Sequence, residues 1–378
     1  MKILPVEISK SGPGIKLADT PSGIAVTMAD KGRDFKYHRN AVTLTVDLSD
    51  YERVRLSFRA REYGDEPHAP PESPFGDDVD FDGVAISEDG VSWYEIQDLR
   101  SLRSDRFTDY DIDLDAAAAA CGLTFNAEFR IRFCQYDNGP VAWDGIALSD
   151  IRLEGEFTGL VLHLPMDDSG DDAVVRDAAG ENDQTFIDPG GDPSTGGHSG
   201  GGAVDSALGF DGVDDCVTLT AASYRSVLAE GGDFAICMWW KTSSPDPGQT
   251  LHFLSNFAAA ADSIMWYTPP GSLSVAVQFV TGESRWVAKA WPGGADDQWH
   301  HYVLTRQGTV ISIYKDGELA VSDDHPENVK SLAPADRELT IGSNPTASQP
   351  SPGWADDLRI YSRGLNAGQI RAIYELKD

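Results

Sequence analysis

Val42-Thr43-Leu44-Thr45-Val46-Asp47-Leu48 alternates apolar and polar residues, and this alternation decides the fold. Val54–Arg59 (VRLSFR), Phe129–Cys134 (FRIRFC), Val217–Thr220, Ser274–Val280 and Val310–Tyr314 repeat it. Successive side chains of a strand point to opposite faces, so a period of two marks a half-buried sheet. Clusters of Gly, Pro, Asp and Asn separate the runs, as turns require. Helical periodicity is scarce. Asp115 is expected to cap a short helix over Ala116–Ala120. Asn366 is expected to cap a terminal helix to Leu376, with Ile370, Ile373 and Tyr374 on its apolar side. The pattern predicts an all-β chain of tandem antiparallel β-sandwiches with one or two short helices.

The length of 378 residues suits two to three domains at about 150 residues each. A boundary is expected near residues 154–160, dividing 1–155 from 156–378. Asp+Glu count 61 against 30 Lys+Arg, a net charge of −31. That excludes nucleic acid or an anionic membrane as main partner, because both need a basic footprint. Asp outnumbers Glu 44 to 17, which favours loops over helices. Asp-rich loops supply hard oxygen ligands, so calcium is a candidate ion, set against ordinary solvated turns. The four cysteines allow the local pairs Cys121/Cys134 and Cys216/Cys237, or free buried thiols. The N-terminal MKILPVEISKSGPG does not read as a signal peptide, and no apolar run approaches the roughly 18 residues of a membrane span. A soluble protein is expected, acting outside the cell or on a virion.

From Leu160 to Leu376 the chain resembles the laminin-G-like, concanavalin-A-like jelly-roll domains. The resemblance rests on motifs in order: Leu162–Asp167 with Val175–Asp177, Ala207–Asp215 (ALGFDGVDD), Phe234–Thr242 (FAICMWWKT), Trp299–Val303 (WHHYV), Ile313–Gly317 (IYKDG), Ile341-Gly342, Asp356–Tyr361 (DDLRIY), and Leu365…Gln369-Ile370…Tyr374. It implies a structural calcium held by Asp357 with the Asp211 turn and the opening strand, and more weakly by Asp177. The neighbouring His300 and His301 face opposite sides of a strand, so a shared ion is disfavoured and structural roles are expected.

Glucanases of this fold carry E-x-D-x-x-E on one strand, and no such run occurs here. Glu283 is the only Glu between Gly231 and Glu318 and has no spaced partner. G-x-S-x-G, H-E-x-x-H and P-loop motifs are also missing. Non-catalytic binding is expected instead. Trp266, Tyr267, Trp286 and Trp291 lie in the segment that lines the concave sheet of such folds, where aromatic faces stack on sugar rings.

The first half is similar, more weakly, to MAM-like and carbohydrate-module-like jelly rolls. Asp80–Tyr94 reads as two strands around an Asp-Gly turn, and Val141–Leu148 as a closing strand on which Asp144 would touch a metal. The whole predicts two tandem jelly-roll sandwiches in a non-catalytic adhesion or recognition protein. Its partner would be a cell-surface glycan or protein, and its setting a virion appendage such as a phage fibre, receptor-binding or capsid-decorating protein, as a homotrimer. The alternatives are a purely structural assembly protein and a glycan-cleaving enzyme.

Overall fold

The computed structural model describes residues 2–3, 7–11, 15–20, 23–29, 38–63, 67–69, 72–77, 80–137, 145–168, 173–188, 197–242, 250–257, 262–270, 272, 274–281, 285–333 and 337–377. The chain divides into two compact units, Met1–Thr158 and Gly159–Asp378. Each unit is a sandwich of two antiparallel sheets.

In the first unit, one sheet orders the strands Ile15–Thr20, Gly23–Ala29, Gly145–Phe157, Tyr51–Glu62 and Thr108–Asp113, with Lys2–Ile3 also on Gly145–Phe157. The other orders Glu7–Ser11, His38–Val46, Phe129–Asp137, Gly83–Ser87 and Tyr94–Asp98. The alternation read from the sequence puts Val42, Leu44 and Val46 opposite Phe133, Ile131 and Phe129 on one inner face. Val54, Leu56 and Phe58 meet them from the facing sheet, and Phe58 packs edge-on against Phe133 at 5.2 Å. The closing strand keeps pairing through Phe157↔Tyr51, which carries this unit past residue 155.

The first helix, Leu114–Cys121, is capped by Asp113, whose carboxylate accepts from the Ala116 amide at 2.9 Å. Asp115, expected to be the cap, instead accepts from the Val54 and Arg53 amides at 2.6 and 3.2 Å. Arg53 has a left-handed φ of 54°, and Asp115 holds the turn it makes.

In the second unit, the front sheet orders Gly197–Gly200, Ser206–Phe210, Gly353–Tyr361, Phe234–Lys241, His300–Gln307, Val310–Lys315 and Glu318–Asp324, with Leu160–Leu164 pairing on Gly353–Tyr361. The back sheet orders Val174–Val175, Gln184–Ile187, Cys216–Thr218, Thr340–Ile341, Leu251–Ser255, Ser263–Thr268, Val275–Thr281 and Arg285–Trp291. Trp240 of the front sheet stacks on Phe253 of the back sheet at 4.5 Å in the core.

The terminal helix, Ala367–Tyr374, is capped by Asn366, with Gln369 completing a reciprocal capping box. It lies on the outer face of the front sheet, where Tyr374 stacks on Trp239 at 5.4 Å. A short helix at Ala221–Tyr224 had no signal in the sequence. All four cysteines are free thiols, and Cys134, Cys216 and Cys237 are buried.

Losing a helix N-cap costs about 1 kcal/mol. Asn366→Ala is therefore expected to lower the unfolding free energy by about that amount, read as an earlier urea midpoint with an unchanged slope.

Candidate functional site

The Gly353–Tyr361 strand carries the densest charge network among the described residues. Its inward residues Ala355, Leu358 and Ile360 enter the core. A register shift opposite Cys237/Trp239 and a φ of +48° at Asp357 turn the Asp357 side chain out of the regular alternation. Asp357 is 2% exposed. Its Oδ1 lies 2.7 Å from His163 Nε2, and Arg359 Nε donates to both of its oxygens at 3.0 Å. Burial alone would raise this carboxyl; the Arg359 guanidinium and the His163 ring outweigh it and hold it well below the usual carboxylate range.

The neighbouring Asp356 behaves in the opposite way. Its Oδ2 accepts from the Ala203 and Val204 amides at 2.8 and 2.9 Å, while its Oδ1 is buried with no partner among the described residues. Burial, seconded by the Asp357 charge, pushes its carboxyl up to about 8 against the pull of the two amides. His301 is also buried, and neither ring nitrogen has a partner among the described residues. Burial pushes it down to about 4, so it is a neutral ring packed near Trp239 and Tyr374. His300, on the other face, pairs with Asp316 at 2.8 Å, and that hydrogen bond raises its pKa.

Asp357, the first of the expected calcium ligands, does not fit a divalent ion. Asp357 has both oxygens on the protein's own cation, and an ion there would face a guanidinium at hydrogen-bond distance. Asp177 reaches the same opening strand, but its oxygens accept from the backbone amides of His163, Ala179 and Asn182. Asp211 accepts from the Val213 amide at 2.6 Å, the bond of an ordinary Asx turn. Asp144 lies outside the described residues. Among the described residues, the fold gathers the acidic side chains Asp188, Asp214 and Asp215, with oxygens within 4.8 Å of one another. Burial raises Asp215 to about 6.

The aromatic residues separate by strand parity. Trp266 pairs with Val277 on the inner face and is 1% exposed in the core, so it offers no face to a ligand. Trp291 pairs with Val275 and leans half-buried on Tyr302 at 5.5 Å, also inward. Tyr267 points outward and is half-buried. Trp286 pairs with Val280, and its side chain lies outside the described residues.

The outer face of the back sheet carries a feature the sequence did not announce. Cross-strand pairing aligns Thr218, Thr340, Ser255, Met265, Gln278 and Ala288 in one row, with His252, Tyr267 and Ala276 in the next. Gln278, Thr340 and His252 are at most 4% exposed. Gln278 Nε2, Thr340 Oγ1 and His252 Nδ1 have no hydrogen-bond partner among the described residues, and neither does Ser343 Oγ just beyond Ile341. Buried polar atoms left unpaired cost about 1–3 kcal/mol each, and enclosed water is the partner that reaches atoms this closed to solvent. No carboxylate stands in this row.

Residues 211–371 match the family model of the concanavalin A-like lectin/glucanases superfamily, of laminin-G type. The second unit is thus a laminin-G-like, concanavalin A-like domain. A stretch of the adhesion G-protein coupled receptor V1 of Danio rerio is 22% identical over 163 residues, 40% of this chain. The chain spans only 3% of that receptor's length. Among solved structures, the botulinum neurotoxin serotype D binding domain aligns with a TM-score of 0.43 and 13% identity, over 57% of this chain and 51% of that one. Domain 4 of an extracellular arabinanase from Geobacillus stearothermophilus, in complex with arabinotriose, aligns at 0.42 and 16%, over 58% and 98%.

Removing one partner of a buried ion pair costs about 3–5 kcal/mol. Asp357→Ala is expected to lose that much in chemical unfolding, equally with calcium and with chelator. The raised Asp356 carboxyl keeps its proton in the folded state between its ordinary value of 3.8 and about 8. Its contribution is therefore present at low pH and lost as pH rises through that window. Asp356→Asn is expected to flatten the decline of melting temperature over this range while keeping the two amide bonds; an unchanged slope would contradict the assignment.

Proposed function

We propose that the chain is a non-catalytic recognition protein and that its second unit binds a glycan through the outer face of the back sheet. The observation that carries this reading is the outward, half-exposed ring of Tyr267, set beside the polar row of the back sheet's outer face around Gln278. A sugar offers what this face needs. Its hydroxyls donate and accept, matching an amide, hydroxyls and an imidazole, and its C–H face suits a tyrosine ring.

Most glycan-cleaving enzymes use two carboxyl groups, about 5–5.5 Å apart for retention or about 6.5–9.5 Å for inversion. The row Thr218, Thr340, Ser255, Met265, Gln278 and Ala288 supplies none, which supports binding without hydrolysis. Glu283 lies outside the described residues. The net charge of −31 supports a highly hydrated setting, outside the cell or on a virion, and a neutral rather than anionic glycan. No described helix is long and apolar enough to cross a membrane.

Glycan-array screening of the full chain, followed by calorimetry on the hits, tests the reading. Gln278→Ala and Tyr267→Ala are each expected to weaken binding by about tenfold or more, since a lost hydrogen bond or aromatic face is worth about 1–2 kcal/mol. Their circular dichroism should stay native. Binding unaffected by both variants, or reducing ends accumulating during incubation, would contradict the proposal.

A further inference from the structure

The geometry points to a second ligand site, in the first unit, that takes a neutral saccharide independently of the second unit's sheet. A cavity of about 420 Å³ lies on the sheet that contains His38–Val46 and Phe129–Asp137. That volume falls in the range of small-ligand clefts, about 300–1,000 Å³. On this sheet Val42, Leu44, Ile131 and Phe133 face the core, so Ala41, Thr43, Arg132 and Cys134 face away from it. The described parts of the 67–82 segment fold over part of that outer face. Phe75 and Phe81 there pack with Trp93, Ala85 and Cys134 as a small satellite core. The cavity is the part they leave uncovered.

Its walls are held rigidly. Arg132 lies flat over the Trp93 ring, 3.6 Å from the centroid, and donates to Asp77 Oδ1 at 2.9 Å and Thr43 Oγ1 at 3.1 Å. Trp93 Nε1 donates to the same Asp77 oxygen at 2.9 Å. Tyr136, which also lines the cavity, is held by residues behind it: its amide donates to the buried Asp82, which also accepts from the His68 amide, and the His68 ring packs edge-on against it. Such fixed groups lose little entropy when a ligand arrives.

The chemistry of the lining selects the ligand. The guanidiniums of Arg39 and Arg132 are each paired with a carboxylate, Asp80 and Asp77. The cleft therefore offers planar donors and acceptors side by side with no uncompensated charge. An anionic ligand gains no free cation there and meets a chain of net charge −31. Vicinal hydroxyls on an uncharged ring match the Arg132–Asp77 pair and the Arg39 guanidinium, and Phe75 and Tyr136 supply apolar surface for its C–H face.

Gly76 lines the cavity and a Cβ there meets nothing within 4 Å, so a bulky side chain can be placed at the cleft without displacing the fold. The test titrates the full chain by calorimetry with gluco-, manno-, galacto- and xylo-oligosaccharides, and with trigalacturonate as the anionic comparison. At least one neutral oligosaccharide is expected to bind, about tenfold or more weaker in Gly76→Trp and in Arg39→Ala. Tyr267→Ala in the second unit should leave this component unchanged. No neutral binding, neutral binding insensitive to Gly76→Trp, or a preference for trigalacturonate would each overturn the site. Binding lost in Tyr267→Ala but kept in Gly76→Trp would overturn it while supporting the second unit's face.

Discussion

The second unit depends on one buried carboxylate. Asp357 draws the guanidinium of Arg359 and the ring of His163 into a nearly dry layer on the outer face of the front sheet. A lone carboxylate or guanidinium could not stay charged there; each is tolerated because the other is within 3.0 Å. The strand that carries the pair is hydrogen-bonded to Leu160–Leu164, Ser206–Phe210 and Phe234–Lys241, so the network sits where the beginning, middle and end of the unit meet. The terminal helix then adds Tyr374 over Trp239, beside His301 on the same outer face.

Much of this architecture was legible in the residues, because period-two alternation follows directly from backbone geometry. The strands at Phe129–Asp137 and Val310–Lys315 start where the alternation starts. The Asn366 cap was readable too, since its signal is local. What the sequence hid is what depends on partners. Asp113 and Asp115 are both good caps, and only the turn at Arg53, distant in sequence, decides which one closes the helix. Trp266 and Tyr267 are adjacent aromatics, so at most one can face outward, and parity alone does not say which until the core side is known. Asp357 has the residue type and place of a metal ligand; its actual role is set by a cation two positions along and an imidazole 194 residues away.

The candidate binding surfaces were hidden for the same reason. Thr218, Thr340, Ser255 and Gln278 are unremarkable one at a time, and they become a polar row only through strand pairing. Arg132 and Trp93 carry no mutual signal in the chain, yet their stacking builds one wall of the first unit's cleft. Both surfaces combine neutral or charge-balanced polar groups with aromatic faces. That combination suits uncharged, hydroxyl-rich ligands in a protein whose net charge repels anions.

The most direct measurement of the central claim is amide hydrogen exchange on the full chain and on Arg359→Met, which leaves Asp357 without its main counter-charge. If the buried network organises the front sheet, protection falls together across Leu160–Leu164, Phe234–Lys241, Gly353–Tyr361 and the terminal helix, while the sheets of the first unit exchange as before. Loss confined to the residues beside position 359, or no loss at all, would contradict the account.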